Sequence, residues 1–557
     1  MKKKIYILFP IYLALAIILG IYIGNKFIFT PHQSYKQTSG DVKMSALLDI
    51  IQKKYVDSIA VDSLVEQAIP KIIAGLDPHS VYIPAKDFEN ANAELEGSFS
   101  GIGVQFSILN DTVTIVDVVS GGPSQHVGLM AGDRIISIND TAFVGKNVVT
   151  NDAVMKKLRG QKGTKVKLGI KRNTSKTPLD FTITRGDIPV NSIDVTYQPA
   201  PGVGLIKVNK FGATTYDEFI SALAKLNKQK VNGIIIDLRG NSGGYMDAAI
   251  NMINEFLPKD RLIVYTEGSN SARSEARSNG SGTFQNTPIV VLIDEWSASA
   301  SEIFAGAIQD NDRGTIIGRR SYGKGLVQQQ IPFFDGSALR LTIARYHVPS
   351  GRCIQKEYEL GKNDDYQTDI LNRYMHGEFD SKDSIKVNEN LKYETLNGRT
   401  VYGGGGIMPD IFIPRDTVGM NSYFNLVFNR GLMYQFAFAY SDKNREELKK
   451  YKDYRALVSH LDSTTILPEF VEFAEKKGVR RRPYMIEEAE PLLLTQLYAY
   501  TARNILGDDA FYPIFLQNDK SIQEAVSLIN KNKTFPEVPV KAITEKDIAI
   551  DSVKTLN

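Results

Sequence analysis

Pro288-Ile-Val-Val-Leu-Ile-Asp-Glu-Trp-Ser-Ala-Ser-Ala-Ser-Glu-Ile-Phe-Ala-Gly-Ala-Ile308 passes from a continuous apolar run, through a serine-rich turn, into a segment with Ile303, Phe304, Ala307 and Ile308 on one helical face. An apolar run without alternation is the pattern of a strand buried on both faces. Gly233-Ile-Ile-Ile-Asp237 repeats the pattern, and from Gly202 onward such strands alternate with helical spacing. The expected fold of this region is therefore an α/β layer structure around a mainly parallel sheet.

The turn between strand and helix is a suitable place for a nucleophile, because the helix N-terminus offers unpaired N–H groups and a positive dipole end to a developing oxyanion. Ser299 occupies it. The same residues also have the S-x-x-E spacing of a capping box, Ser299 with Glu302, which needs no chemistry. Arg319-Arg-Ser-Tyr-Gly-Lys-Gly-Leu-Val-Gln-Gln-Gln330 shifts the balance toward catalysis. It sets Lys324 between two glycines and puts Gln328 four residues on, on the same face of a strand. A lysine is a general base only when neutral, and working near pH 7 to 8 requires lowering its pKa by roughly 3 units, about 4 kcal/mol. Burial can supply this, and Gln328 can hold the amine by a neutral hydrogen bond where an Asp would favour the charged form. Asp237-Leu-Arg-Gly-Asn-Ser-Gly-Gly244 is the candidate oxyanion site: N–H groups at Gly243 and Gly244, with that of Ala300, would form the hole.

Other chemistries fit poorly. The glycine-rich turn lacks the Lys-Ser/Thr ending of a phosphate-binding loop and the G-x-G-x-x-G spacing. Of the histidines His32, His79, His126, His347, His376 and His460, only His347 has a strand-end position suited to a triad, and Val348-Pro349 beside it reads as a turn. His79, in Leu76-Asp-Pro-His-Ser80, reads as a local hydrogen-bonding residue. No H-E-x-x-H or paired His/carboxylate spacing suggests a metal.

Outward from this region, short β-runs at Gly103–Leu109, Val113–Val119, Arg134–Ile138, Lys165–Ile170 and Asp180–Ile183, with one helix at Asn151–Leu158, predict a compact β-domain. Helical spacing from Val42 to about Phe88 precedes it. Gly268 to Gly282, rich in Ser, Gly and Asn, reads as a mobile surface loop. After Thr417 the chain is Tyr-rich and helical in period, with Arg480 to Arg482 as a solvated charge run and a loosely ordered end. At 557 residues, with 43% hydrophobic and 23% charged residues, two to four globular domains are expected. A net charge of +3 and the lack of a basic stripe argue against nucleic acid as a partner. The single cysteine, Cys353, excludes an internal disulfide framework. Lys2, Lys3 and Lys4 ahead of the apolar run Ile5–Gly24 predict an uncleaved membrane anchor, with the rest of the chain across the membrane. Cleavage of this segment, giving a soluble periplasmic form, is the lesser expectation.

Ser-Ala-Ser-Ala-Ser-Glu-Ile-Phe-Ala-Gly-Ala-Ile-Gln-Asp310 followed by Ser321-Tyr-Gly-Lys-Gly-Leu-Val-Gln328 resembles the carboxy-terminal processing peptidases, or tail-specific proteases. The likeness extends from Tyr55-Val-Asp to about Asp410, roughly two-thirds of the chain. It implies a nucleophile at Ser299, a base at Lys324 and an assisting amide at Gln328, acting without a cofactor. It also implies that the inserted β-domain is a PDZ domain in the bacterial strand order, whose loop Gly101-Ile102-Gly103-Val104 receives a terminal carboxylate. Ser321-Tyr stands where Thr-Phe is usual, a change that should leave the lysine in place.

The expected whole is a multidomain α+β protein: a crotonase-like α/β peptidase core at 189–416 with the PDZ domain inserted at 98–188. An anchor at 1–24, a tether and helical segment at 25–97 and a helical extension at 417–557 complete it. The expected function is a serine endopeptidase of the bacterial inner membrane, facing the periplasm, that takes protein tails with free carboxyl ends. Assembly with itself or with an adaptor is an open expectation. The rival from another class is a catalytically inactive PDZ scaffold, against which Ser299, Lys324 and Gln328 together argue. A penicillin-recognising acylase also pairs Ser with Lys, but through S-x-x-K on one helix, a context absent here.

Overall fold

The computed structural model describes residues 39–535, apart from 110, 120, 173 and 174, together with Ala14 and Leu19. It divides into two compact units, residues 1–72 and 73–557. The first holds the helix Ser39–Lys54 and nearly all of Val61–Ile73, so helix begins three residues before Val42, inside the expected tether. The anchor expected at 1–24 lies outside the described residues except for Ala14 and Leu19, as do residues 536–557. Among the described residues no helix is long and apolar enough to cross a membrane. The longest, Pro483–Leu506, carries Glu487, Glu488, Glu490 and Arg503. The expected single-pass inner-membrane placement, with the membrane as a partner, is corrected accordingly.

In the larger unit a six-stranded sheet runs in the order Ile193–Ala200, Val203–Val208, Gly233–Asp237, Ile289–Ile293, Thr315–Gly318 and Ile411–Phe412. Only the first pair is antiparallel. The two-residue period of a strand explains the unbroken apolar runs. Ile234, Ile236, Ile289 and Val291 pack with the helices Thr215–Lys228, Met246–Asn254 and Ala300–Asp310. Ile235, Val290 and Leu292 face the other way and cluster with Ile522, Ala525 and Ile529 of the helix Lys520–Asn530. The far end of the helical extension thus supplies the sheet's second cover, so closely that a Cβ on Gly233 would stand 2.6 Å from Ile529 Cγ2.

A second, five-stranded sheet centres on Ala338–His347, which pairs with Val81–Ile83, Leu262–Gly268 and Leu326–Pro332. Its outer strand, Ser271–Arg277, lies within the stretch expected to be a mobile loop, and that expectation is corrected. Ser269-Asn270 form the tight connection, and an edge strand exposed to water tolerates a polar sequence. Glu275 is held between Arg273 and Arg277, and the Arg273 guanidinium sits 3.7 Å from the Tyr265 ring centre.

The β-domain is a sheet in the order Val104–Leu109, Thr112–Val118, Arg134–Ile138, Lys165–Lys171 and Leu179–Thr184. Its helix Asn151–Leu158 is capped by Thr150, whose Oγ1 accepts from Ala153 N at 3.2 Å. Ser98–Gly101 and Gly186–Pro189 pair where the chain enters and leaves it. The helix Ala85–Glu96 precedes it, extending past Phe88. Six helices between Ser422 and Leu506 enclose a separate apolar cluster that includes Phe424, Phe436, Leu448, Phe470, Leu493 and Leu497. The chain is a multidomain α+β protein with a helical carboxyl-terminal region.

Candidate active site

The serine-rich turn assigns its three serines different tasks. Ser297 Oγ donates to Leu238 O at 2.9 Å, and Ser301 Oγ donates to Asn241 O at 2.9 Å. Both side chains are fully buried and tie the turn to the glycine-rich loop after Gly233–Asp237. Ser299, between them, is half-buried and lines a cleft of about 380 Å³. Its φ of 54° is in the left-handed region, which a residue with a side chain adopts at a cost of about 1–3 kcal/mol. The surrounding ties hold it there.

Lys324 and Gln328 line the same cleft. Lys324 Nζ donates to Gln328 Oε1 at 3.0 Å, and Gln328 Nε2 donates to the main-chain carbonyl of His79. Burial lowers the Lys324 pKa, with a further push from the Arg340 guanidinium, while Glu302 and Asp77 oppose the shift. The two glycines flanking it are close-packed: a Cβ on Gly325 would stand 2.8 Å from Gln355 N. Tyr346, from the central strand of the second sheet, has its hydroxyl against Lys324 O and 3.1 Å from Ser299 O, gripping the main chain of both.

Glu302 is the residue that sequence spacing marked only as a helix cap. Its Oε2 accepts from Ser299 N at 2.8 Å, the return arm of a capping box. The same carboxylate accepts from Lys324 N at 2.9 Å, Gly323 N at 2.7 Å and Ser321 Oγ at 2.5 Å. Burial pushes its pKa up to about 7, against the pull of these four donors. Arg340 was missed as well; it lines the cleft and donates to Asn92 Oδ1 at 3.1 Å and Gln330 Oε1 at 3.0 Å. No local motif marks either role, since every partner beyond Ser299 is distant in sequence.

Gly243, Gly244 and Ala300 also line the cleft. Gly243 N is engaged, donating to Asn241 Oδ1 at 2.8 Å, which corrects the expectation that it is a free oxyanion donor. An asparagine two residues back captures it in a local turn. Among the described residues, the N–H groups of Gly244 and Ala300 have no acceptor. His347 is stacked on Tyr265 at 4.6 Å, with Nδ1 3.0 Å from Gly351 O, and is not part of the cleft. His79 Nε2 meets Tyr366 Oη at 2.7 Å, and burial together with Lys324 pushes its pKa down to about 4. Gly101 to Val104 lie apart from the cleft, at the start of the edge strand of the β-domain, with Gly103 at φ 76°.

Family models divide the chain along similar lines. Peptidase family S41 matches residues 202–368, the PDZ domain matches 100–183, and a family of unknown function matches 423–507. These define a serine protease that carries a PDZ domain. The carboxy-terminal processing protease CtpB of Bacillus subtilis is 34% identical over 318 residues, 57% of this chain and 65% of that protein. The carboxy-terminal-processing protease of Bartonella bacilliformis is 35% identical over 58% of this chain and 73% of its own. The carboxyl-terminal-processing protease of Synechocystis is 32% identical over 62% of this chain and 84% of its own. The chain belongs to the carboxy-terminal processing protease family.

Proposed function

We propose that the protein is a serine endopeptidase in which Ser299 is the nucleophile, Lys324 the general base and Gln328 the amide that orients it. The PDZ domain receives the free carboxyl end of a protein tail at Gly101–Val104, and the tail adds as a strand along Val104–Leu109. The observation that carries the reading is the environment of Lys324. Its amine is half-buried in the cleft that Ser299 lines and is bonded to a neutral amide oxygen rather than a carboxylate.

Lys324 Nζ takes the hydroxyl proton as Ser299 Oγ bonds to the peptide carbonyl carbon. The resulting oxyanion is met by the N–H groups of Gly244 and Ala300. Collapse breaks the C–N bond, and the proton passes from Lys324 to the leaving amine, leaving an ester on Ser299. A water then loses a proton to Lys324 as it attacks the ester, and Ser299 recovers its proton as the acid product departs.

The test is cleavage of an unstructured reporter with an apolar carboxyl end, free or amidated, by wild type, Ser299→Ala and Lys324→Ala. Wild type should cut, both variants should be inactive while melting normally, and the amidated tail should be cut more slowly. Near-full activity in Lys324→Ala would sink the base assignment, and equal cutting of both tails would sink carboxylate docking.

A further inference from the structure

The turn Asp77-Pro-His-Ser80 has no part in the reaction as derived, yet it touches the lysine's partner. Gln328 has an accepting end and a donating end. A main-chain carbonyl accepts only, so the His79 carbonyl takes Nε2 and leaves Oε1 as the end presented to Lys324. This choice matters to a base. A neutral amine has one lone pair and two N–H bonds; donating one N–H to Oε1 leaves the lone pair for the Ser299 hydroxyl. A flipped amide would aim its own N–H at that lone pair and compete with the serine.

The carbonyl is fixed from several directions. The Asp77 carboxylate accepts from Ser80 Oγ at 2.5 Å, His79 N at 2.9 Å, Ser80 N at 3.0 Å and Thr342 Oγ1 at 3.0 Å. Thr342 N donates back to Ser80 Oγ at 3.1 Å, and Thr342 is the cross-strand neighbour of Gln328. The His79 ring is held edge-on against Tyr366, with centres 5.1 Å apart. Asp77 is 6% exposed. The turn is thus bound to the strand pair that carries Gln328.

The geometry points to the Asp77–Ser80 turn as a positioning element of the base: through the His79 carbonyl it sets the Gln328 amide, and so aims the Lys324 lone pair at Ser299. This rests on the reading of Lys324 as base and Gln328 as its partner. The groups bearing on Lys324 are Glu302 from the helix, Arg340 from the strand, and Asp77 and His79 from the turn. Asp77 raises the Lys324 pKa, whereas Ser80 carries no charge.

The experiment measures kcat and KM of the full chain on the reporter from about pH 6 to about pH 10, for wild type, Asp77→Asn, Ser80→Ala, Ser80→Thr and Lys324→Ala, with melting curves for each. Asp77→Asn and Ser80→Ala are expected to lower kcat about 10-fold or more, with KM within about two-fold of wild type. Asp77→Asn should also move the acid limb to lower pH. Ser80→Ala should leave the limb in place, and Ser80→Thr, which keeps the hydroxyl, should recover activity. A purely structural role would scale activity with the folded fraction in every variant and move no limb, and that result overturns the proposal. So does wild-type kcat in Ser80→Ala, the milder variant, which decides the matter if Asp77→Asn does not fold. An active Lys324→Ala removes the underlying reading and this proposal together; an inert Lys324→Ala beside fully active turn variants refutes the positioning role alone.

Discussion

Replacing Gly243 by alanine should damage both the reaction and the fold. A Cβ there would stand 2.7 Å from Ser299 Cβ, 2.8 Å from Ala298 O and 3.0 Å from Ala300 N. None of these is the free end of a flexible side chain; all belong to the turn that presents the nucleophile. Restoring an ordinary contact of 3.4 Å to Ser299 Cβ alone requires about 0.7 Å of displacement. Because a misplacement of about 1 Å can cost about 100-fold in rate, kcat should fall about 10- to 100-fold, or about 1.4–2.7 kcal/mol in the barrier. The backbone at φ 102° adds strain on the order of 1–3 kcal/mol, which should appear as a lower melting temperature. KM for a tail docked on the PDZ domain should change little, since Gly243 lines the cleft whereas Gly101–Val104 do not. Steady-state cleavage of the reporter, with melting curves to show that the variant is folded, measures all three. A folded Gly243→Ala enzyme with kcat within about two-fold of wild type would refute the reasoning, because the clash cannot relax without moving Ser299.

Arg340→Gln tests the electrostatics of the base. After burial, the Arg340 charge is the largest influence lowering the Lys324 pKa. Removing it should raise that pKa, so the acid limb of kcat/KM should move to higher pH while the alkaline plateau is retained; an unmoved limb would show that the guanidinium does not act on Lys324. Arg352→Leu tests the frame. Arg352 and Asp310 are fully buried and joined at 2.8 Å, so leaving Asp310 uncompensated should cost about 3–5 kcal/mol in chemical denaturation, and a loss under about 1 kcal/mol would contradict that account.

The sheet and the inserted domain were legible because their signals are local. Gly233-Ile-Ile-Ile-Asp237 and the run from Ile289 form buried strands for the reason their pattern suggests: both faces are covered. The β-runs from Val104 to Thr184 fall within a residue or two of the observed strands. What local pattern did not reveal is what covers the second face. Ile522, Ala525 and Ile529 lie more than two hundred residues beyond the strands they seal, and their helical spacing is the same whatever they pack against. Ser271–Arg277 misled for the opposite reason: an edge strand held by Arg–Glu pairs and an Arg–Tyr stack has the composition of a loop.

The catalytic and capping readings of Ser299 and Glu302 began as alternatives, and in the folded chain they are one arrangement. The S-x-x-E spacing does return the Glu302 carboxylate to Ser299 N–H, as a cap should. A cap at the protein surface would leave the remaining lone pairs of that carboxylate to water. Here they are taken by Ser321, Gly323 and Lys324, so a single buried acid holds the main chain on the two sides of the cleft. All four groups donate, which only an ionised carboxyl can satisfy in full. Burial nevertheless lifts its pKa to about 7, so as the pH falls through that point a proton enters and competes with one of the four donors for an oxygen. Spacing within one helix turn could not disclose this, because the donors that give the carboxylate its second role arrive from a loop some twenty residues further on.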